Sequence, residues 1–193
     1  MGAVVPVLAA MALSLQTWVG SLYQLRAQVL LSTRVLDLPG ARRALIKGRK
    51  VDPMNSFFPL QLALLHAQRG GWLQDPVERK QAADEAERWL NQAERLHPYA
   101  FDLYQARIEI LRLKGDDEGA LATARFMATR YPAVVPCFVQ VGDMLVEMGR
   151  LKEAREAYRL GTEASKGNIL EPYRLFYEID RRLKKAAAEE KAP

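Results

Sequence analysis

Residues 148–161 read MGRLKEAREAYRLG, and their small and large positions fall in an unusual order for a helix. Gly149 is followed by Ala154, then by Tyr158 and Gly161, so small residues recur around one aromatic. An amphipathic helix ordinarily turns a stripe of large apolar residues toward its core. Small residues in that stripe predict a place where two helix axes approach closely, with the neighbouring aromatic filling the groove.

The same order repeats along the chain. Ala86, Ala120 and Ala154 are spaced by 34 residues, as are Gly115 and Gly149, and Pro98 and Pro132. Further back, Ala41, Leu45, Gly48 and Pro53 reproduce the spacing of Ala86, Leu90, Ala93 and Pro98 at an offset of 45, which is the period plus an insertion of 11. A fixed period in this range is the sequence signature of a solenoid built from repeated supersecondary units. The turn chemistry agrees, because Asp116 and Asp117 follow Gly115 and offer an N-cap oxygen and favourable charge to the next helix.

These residues resemble the tetratricopeptide repeat (TPR), a helix-turn-helix unit. The most complete copy is residues 135–166, with Gly142, Gly149, Ala154, Tyr158 and Gly161. Residues 101–132 carry Tyr104, Gly115, Ala120, Met127 and Pro132, and residues 56–98 carry Leu62, Ala63, Gly70, Ala86, Leu90 and Ala93. Residues 26–53 form a weaker copy whose first helix continues out of the N-terminal segment. The resemblance covers about three quarters of the chain. It implies an all-α fold: a right-handed α-solenoid of three to three and a half helix pairs, preceded by an apolar helix at 1–25. A capping helix at 167–187 and a disordered tail at 188–193 follow. The third-last copy departs from the pattern at residues 71–84, where WLQDPVERKQAAD interrupts the turn. Pro76 suits the first position of a helix starting there, and Trp72 is expected to cover the domain's own apolar surface, with a partner contact as the alternative.

The first 25 residues carry no charged side chain. A stretch of that length exceeds the ~20 residues that cross a bilayer core, and Trp18 and Tyr23 lie near its end, where amphipathic rings favour the interface. A cleaved signal would open on positive charge and close on a small-residue site, which this segment lacks. A transmembrane anchor is the expectation. A buried core helix or an assembly interface, for instance in a homo-oligomer, is the alternative, because Ser14, Gln16, Thr17 and Gly20 temper its apolarity.

Charge bears on the same question. The net charge is +5, and residues 26–50 alone hold Arg26, Arg34, Arg42, Arg43, Lys47, Arg49 and Lys50 against one acid, Asp37. The rest of the chain is about neutral. A nucleic-acid binder spreads its bases over the surface that tracks the phosphates, so nucleic acid is not expected as a partner. Bases confined to the C-terminal side of the apolar segment predict contact with anionic lipid. The positive-inside rule then places the folded domain in the cytoplasm, with the outer or periplasmic side as the alternative.

No chemistry emerges from the remaining candidates. Cys137 is the only cysteine, which excludes a disulfide within one chain. His66 and His97 have no ligands at metal spacing, and the glycines occur singly rather than in a phosphate-cradling loop. Neither an enzyme, a cofactor nor a metal is expected.

The TPR resemblance implies instead a concave groove lined by the first helix of each pair. Carried over by position, it consists of Phe57, Leu60, Leu64 and Gln68, then Asp102, Gln105, Glu109 and Arg112, then Val139, Asp143, Val146 and Glu147. The lysine and asparagine that hold a terminal carboxylate in chaperone-binding members are missing from these positions. The expected ligand is a protein segment, extended or helical, with apolar anchors and some positive charge. The implied role is a membrane-tethered scaffold or adaptor. A narrower resemblance, to the C-terminal tail of O-antigen ligases and polymerases, rests on the apolar span, the basic helix and VDPMN at 51–55. It implies an accessory module of bacterial polysaccharide synthesis.

Overall fold

The computed structural model describes residues 4–32, 37–165 and 172–191, with side chains at 10–32, 37–165, 179–185 and 187–189. Among them are nine α-helices and no strand: α1 (Val4–Leu31), α2 (Leu38–Val51), α3 (Phe57–Trp72), α4 (Pro76–Leu96), α5 (Phe101–Lys114), α6 (Asp117–Arg130), α7 (Val135–Glu147), α8 (Leu151–Ser165) and α9 (Pro172–Lys191). Side chains that the sequence places at turns start the helices. Asp37, Asp75 and Asp116 accept hydrogen bonds from the backbone N–H groups of Gly40, Val77 and Gly119, at 2.9, 3.0 and 2.9 Å, satisfying donors that have no partner within the helix. Gly115 and Gly149 sit in the left-handed region, at φ 77° and 73°, and end α5 and the turn after α7.

The chain divides into two compact units, residues 1–115 and 116–193. In the first, α2 packs against α1 and α3, and α3 packs against α4 and α5. One core gathers Ala27, Ala41, Leu45, Phe58 and Leu62, and a second gathers Ala63, Ala86, Leu90, Ala93, Ala106 and Ile110. Alanines at the crossings let the axes close up, and leucines fill the space between. Each fully buried leucine contributes about 1.5–3 kcal/mol of transfer free energy. Ion pairs join α5 to α4 at the rim: Arg107 to Glu94 at 2.7 Å, and Lys114 to Glu87 at 2.8 Å.

In the second unit α7 packs on α6 and α8, and α8 on α9. Ala120, Leu121, Met127, Cys137, Leu145, Ala154, Tyr158 and Ile179 are buried there. Burial pushes the Cys137 thiol upward, away from the thiolate form that reacts. Glu153 accepts from both Arg150 and Arg125, at 2.8 and 2.6 Å, and these hydrogen bonds hold its carboxyl down to about 2.

Pro76 opens α4, which runs unbroken to Leu96, so most of the segment at 71–84 extends the second helix of its pair. Other expectations change. Trp72 does not cover the domain's own surface and stays 56% exposed. α9 covers 188–191, assigned from sequence to a tail, while 166–171 and 192–193 lie outside the described residues. The transmembrane anchor is not supported. No helix among the described residues is long and apolar enough to cross a membrane; Gln16, Thr17, Gln24, Arg26 and Gln28 interrupt α1 from its middle onward.

Candidate partner-binding clefts

In α3, Gln61, Leu64, Leu65, Gln68 and Trp72 recur at helical spacing and share one side. They line a cleft of about 680 Å³, together with Ala67, Gly71, Leu31 from the end of α1 and Glu109 from α5. Three residues carried over from the TPR groove, Leu64, Gln68 and Glu109, therefore meet in one place. The floor is aliphatic, two amides offer both donors and acceptors, and Glu109 is the one ionisable lining group. The size suits a few anchoring side chains rather than a flat contact.

The other positions carried over onto this unit do not reach the cleft. Leu60 is buried in the core between α3, α4 and α5, which takes it off the groove. Phe57 is half-buried against the α1–α2–α3 core, edge-on to Phe58 at 5.7 Å. Asp102 and Arg112 are exposed and Gln105 is half-buried, none of them on the lining. Leu31, Gln61, Leu65, Ala67 and Gly71 were missed, and Trp72 stood only as an alternative partner contact. Gln61 was legible as the residue one turn before Leu64, whereas Leu31 and Trp72 belong to helix ends that the repeat spacing does not specify.

In the second unit, Asp143, Val146 and Glu147 line a cavity of about 580 Å³ with Tyr158 from α8 and Arg181, Arg182, Lys185 and Glu189 from α9. Val139 is half-buried and lies off this lining. Asp143 is engaged internally: its Oδ1 accepts from the Tyr158 hydroxyl at 2.7 Å and pairs with the Arg182 guanidinium. The carboxylate expected to attract a partner's positive charge is thus already compensated by the protein's own α9. Burial, with the Glu147 charge adding to it, pushes the Tyr158 phenol up to about 12.

His66 is buried on α3 itself, with Nδ1 2.8 Å from the Glu85 carboxylate but neither ring nitrogen in an aligned hydrogen bond. Desolvation lowers its pKa, Glu85 opposes that shift, and Arg42 and Arg69 reinforce it. Among the described residues, no group of three or more His, Cys, Asp or Glu side chains could hold a metal ion.

Helix pairs closing on buried alanines and turning at left-handed glycines define a TPR-like fold. Solved structures of that form are similar over most of the chain. TTC0263, a thermophilic TPR protein of Thermus thermophilus, matches at a TM-score of 0.65 and 18% identity, over 84% of this chain and 78% of that one. MamA matches at 0.56 and 19%, over 89% and 92%. PilF of Pseudomonas aeruginosa matches at 0.60 and 14%, over 92% and 79%. No family model and no curated protein matches the chain. These comparisons lend no support to a kinship with O-antigen ligases or polymerases.

Proposed function

We propose that the chain is a helical-repeat interaction scaffold, and that the cleft between α1, α3 and α5 receives a partner segment with apolar anchors and one positive charge. The observation that carries this reading is the convergence of Leu64, Gln68 and Glu109 with the exposed Trp72 on one cleft. A half-exposed tryptophan beside an aliphatic floor is the residue type that dominates interface energetics. Gln61 and Gln68 can bond the backbone of an incoming segment, and Glu109 selects for a cation beside its apolar contact. Placement of the repeats at a membrane is no part of the proposal, since no described helix supplies a span.

A random peptide library displayed on phage and selected against the full chain tests it. Enriched peptides are expected to combine aliphatic or aromatic residues with Lys or Arg. They should lose binding to Glu109→Lys and Trp72→Ala, both surface changes that leave the fold intact. Peptides that bind both variants as well as the parent would place the partner site elsewhere.

A further inference from the structure

The residues of α1 divide into two apolar faces. One, formed by Gly20, Tyr23, Ala27, Leu30 and Leu31, lies against α2 and its core. On the other, Met11, Leu15, Trp18, Leu22, Leu25 and Val29 follow one another at alternating intervals of four and three residues, and each is 48–64% exposed. That alternation is the heptad pattern of a helix seam, with Leu15, Leu22 and Val29 at one core position and Met11, Trp18 and Leu25 at the other. It spans about 27 Å at the helical rise. A helix apolar on both sides is a buried helix, yet nothing among the described residues covers the second face.

We propose that this stripe is an association seam, and that its occupant is α1 of a second copy of the chain. From Ser14 onward the stripe is narrow. Ser14, Ser21 and Gln28 border it on one side, and Arg26 and the half-buried Val19 on the other, as a helix seam requires and a broad lipid-facing surface does not. The Ser14 and Ser21 hydroxyls bond to the carbonyls of Ala10 and Thr17, both at 2.9 Å, so neither needs water when another helix lies alongside. Partner choice between such helices is written in flanking charges. Here no acid occurs before Asp37, and Arg26 is the sole charge before Arg34. A parallel copy sets Ser21 against Arg26, so no like charges meet, and the flanks encode no preference for a foreign helix. A bilayer would have to desolvate Gln24, Arg26 and Gln28, whereas a helix along the stripe leaves them at its wet rim.

Sedimentation of the full chain across a dilution series tests the seam. The expected species at high concentration has about twice the monomer mass of 21.8 kDa. The double change Leu15→Glu with Leu22→Glu should return it to monomer with unchanged far-UV circular dichroism. Leu13→Glu, equally exposed but off the stripe, should leave the dimer in place. As a second reading, Leu22→Cys should cross-link between copies on oxidation while Leu13→Cys does not. A parent chain that stays monomeric throughout, or a dimer that survives the double change, overturns the proposal. A monomer that floats with phosphatidylcholine–phosphatidylglycerol vesicles overturns it too, in favour of lipid.

Discussion

The Tyr158 ring of α8 lies against Gly142 of α7 so closely that a Cβ on Gly142 would fall 2.2 Å from the ring edge. The ring cannot easily withdraw, because it is 2% exposed and its hydroxyl is tied to Asp143. Gly142→Ala should therefore destabilise the second unit by about 1–3 kcal/mol through overpacking, as measured by urea unfolding. Gly142→Ala combined with Tyr158→Leu, which removes the ring, should recover part of that loss. An unchanged midpoint for the single variant would show that the two helices separate more freely than their packing suggests.

This contact is also where the sequence was most legible. Ala86, Ala120 and Ala154, picked out by their period, are each fully buried, and Gly115 and Gly149 both adopt positive φ. The repeat constrains these residues through steric fit and backbone conformation, which leave a trace at fixed spacing. The site was legible only in part. Leu64, Gln68 and Glu109 follow the same spacing and converge. Trp72 and Leu31 sit at helix ends outside it. Arg182 reaches Asp143 from a helix that has no counterpart in the repeat, across 39 residues of chain. Long-range pairs of that kind are set by packing, and no local pattern announces them.

Tyr158→Phe isolates the hydroxyl from the ring. It removes one hydrogen bond to Asp143, and should cost about 0.5–1.5 kcal/mol at neutral pH. The pH dependence has a definite sign. The folded phenol is raised from 10.0 to about 12, so in that window the unfolded chain has already released the proton that the native state keeps. Stability contributed by Tyr158 is fully present below the ordinary phenol value and is lost as pH rises toward about 12. Denaturation of parent and variant should thus converge above about pH 10, and a constant difference would contradict the assignment.

Acid acts on His66 in the opposite direction. Its pKa is lowered, first by burial and then by Arg42 and Arg69, with Glu85 pulling the other way. Below the ordinary imidazole value of 6.5 the unfolded chain binds a proton that the folded chain refuses. The His66 contribution is present above that value and is lost as pH falls through it. The melting temperature should drop between about pH 7 and pH 5. His66→Phe should flatten that slope and Glu85→Gln should steepen it. A slope unaffected by either change would trace the acid sensitivity to other groups.

The start of α6 couples two residues in a way a single substitution does not reveal. Asp116 accepts from the Gly119 N–H at 2.9 Å, and a Cβ on Gly119 would lie 2.3 Å from the other carboxylate oxygen. The cap thus needs both the acceptor at 116 and the missing side chain at 119. Asp116→Ala should cost about 0.5–2 kcal/mol by losing the cap. Gly119→Ala should cost a similar amount, since it expels the carboxylate even though alanine favours the helix by about 0.5–1 kcal/mol over glycine. Once Asp116→Ala has removed the cap, adding Gly119→Ala has nothing left to displace and should be neutral or stabilising. Urea unfolding of the four combinations measures that coupling, and strict additivity would mean the carboxylate does not occupy the cap in solution. Asp37 and Gly40 form the same arrangement at the start of α2, where the corresponding Cβ would lie 2.1 Å from the carboxylate, so the same non-additivity is expected there.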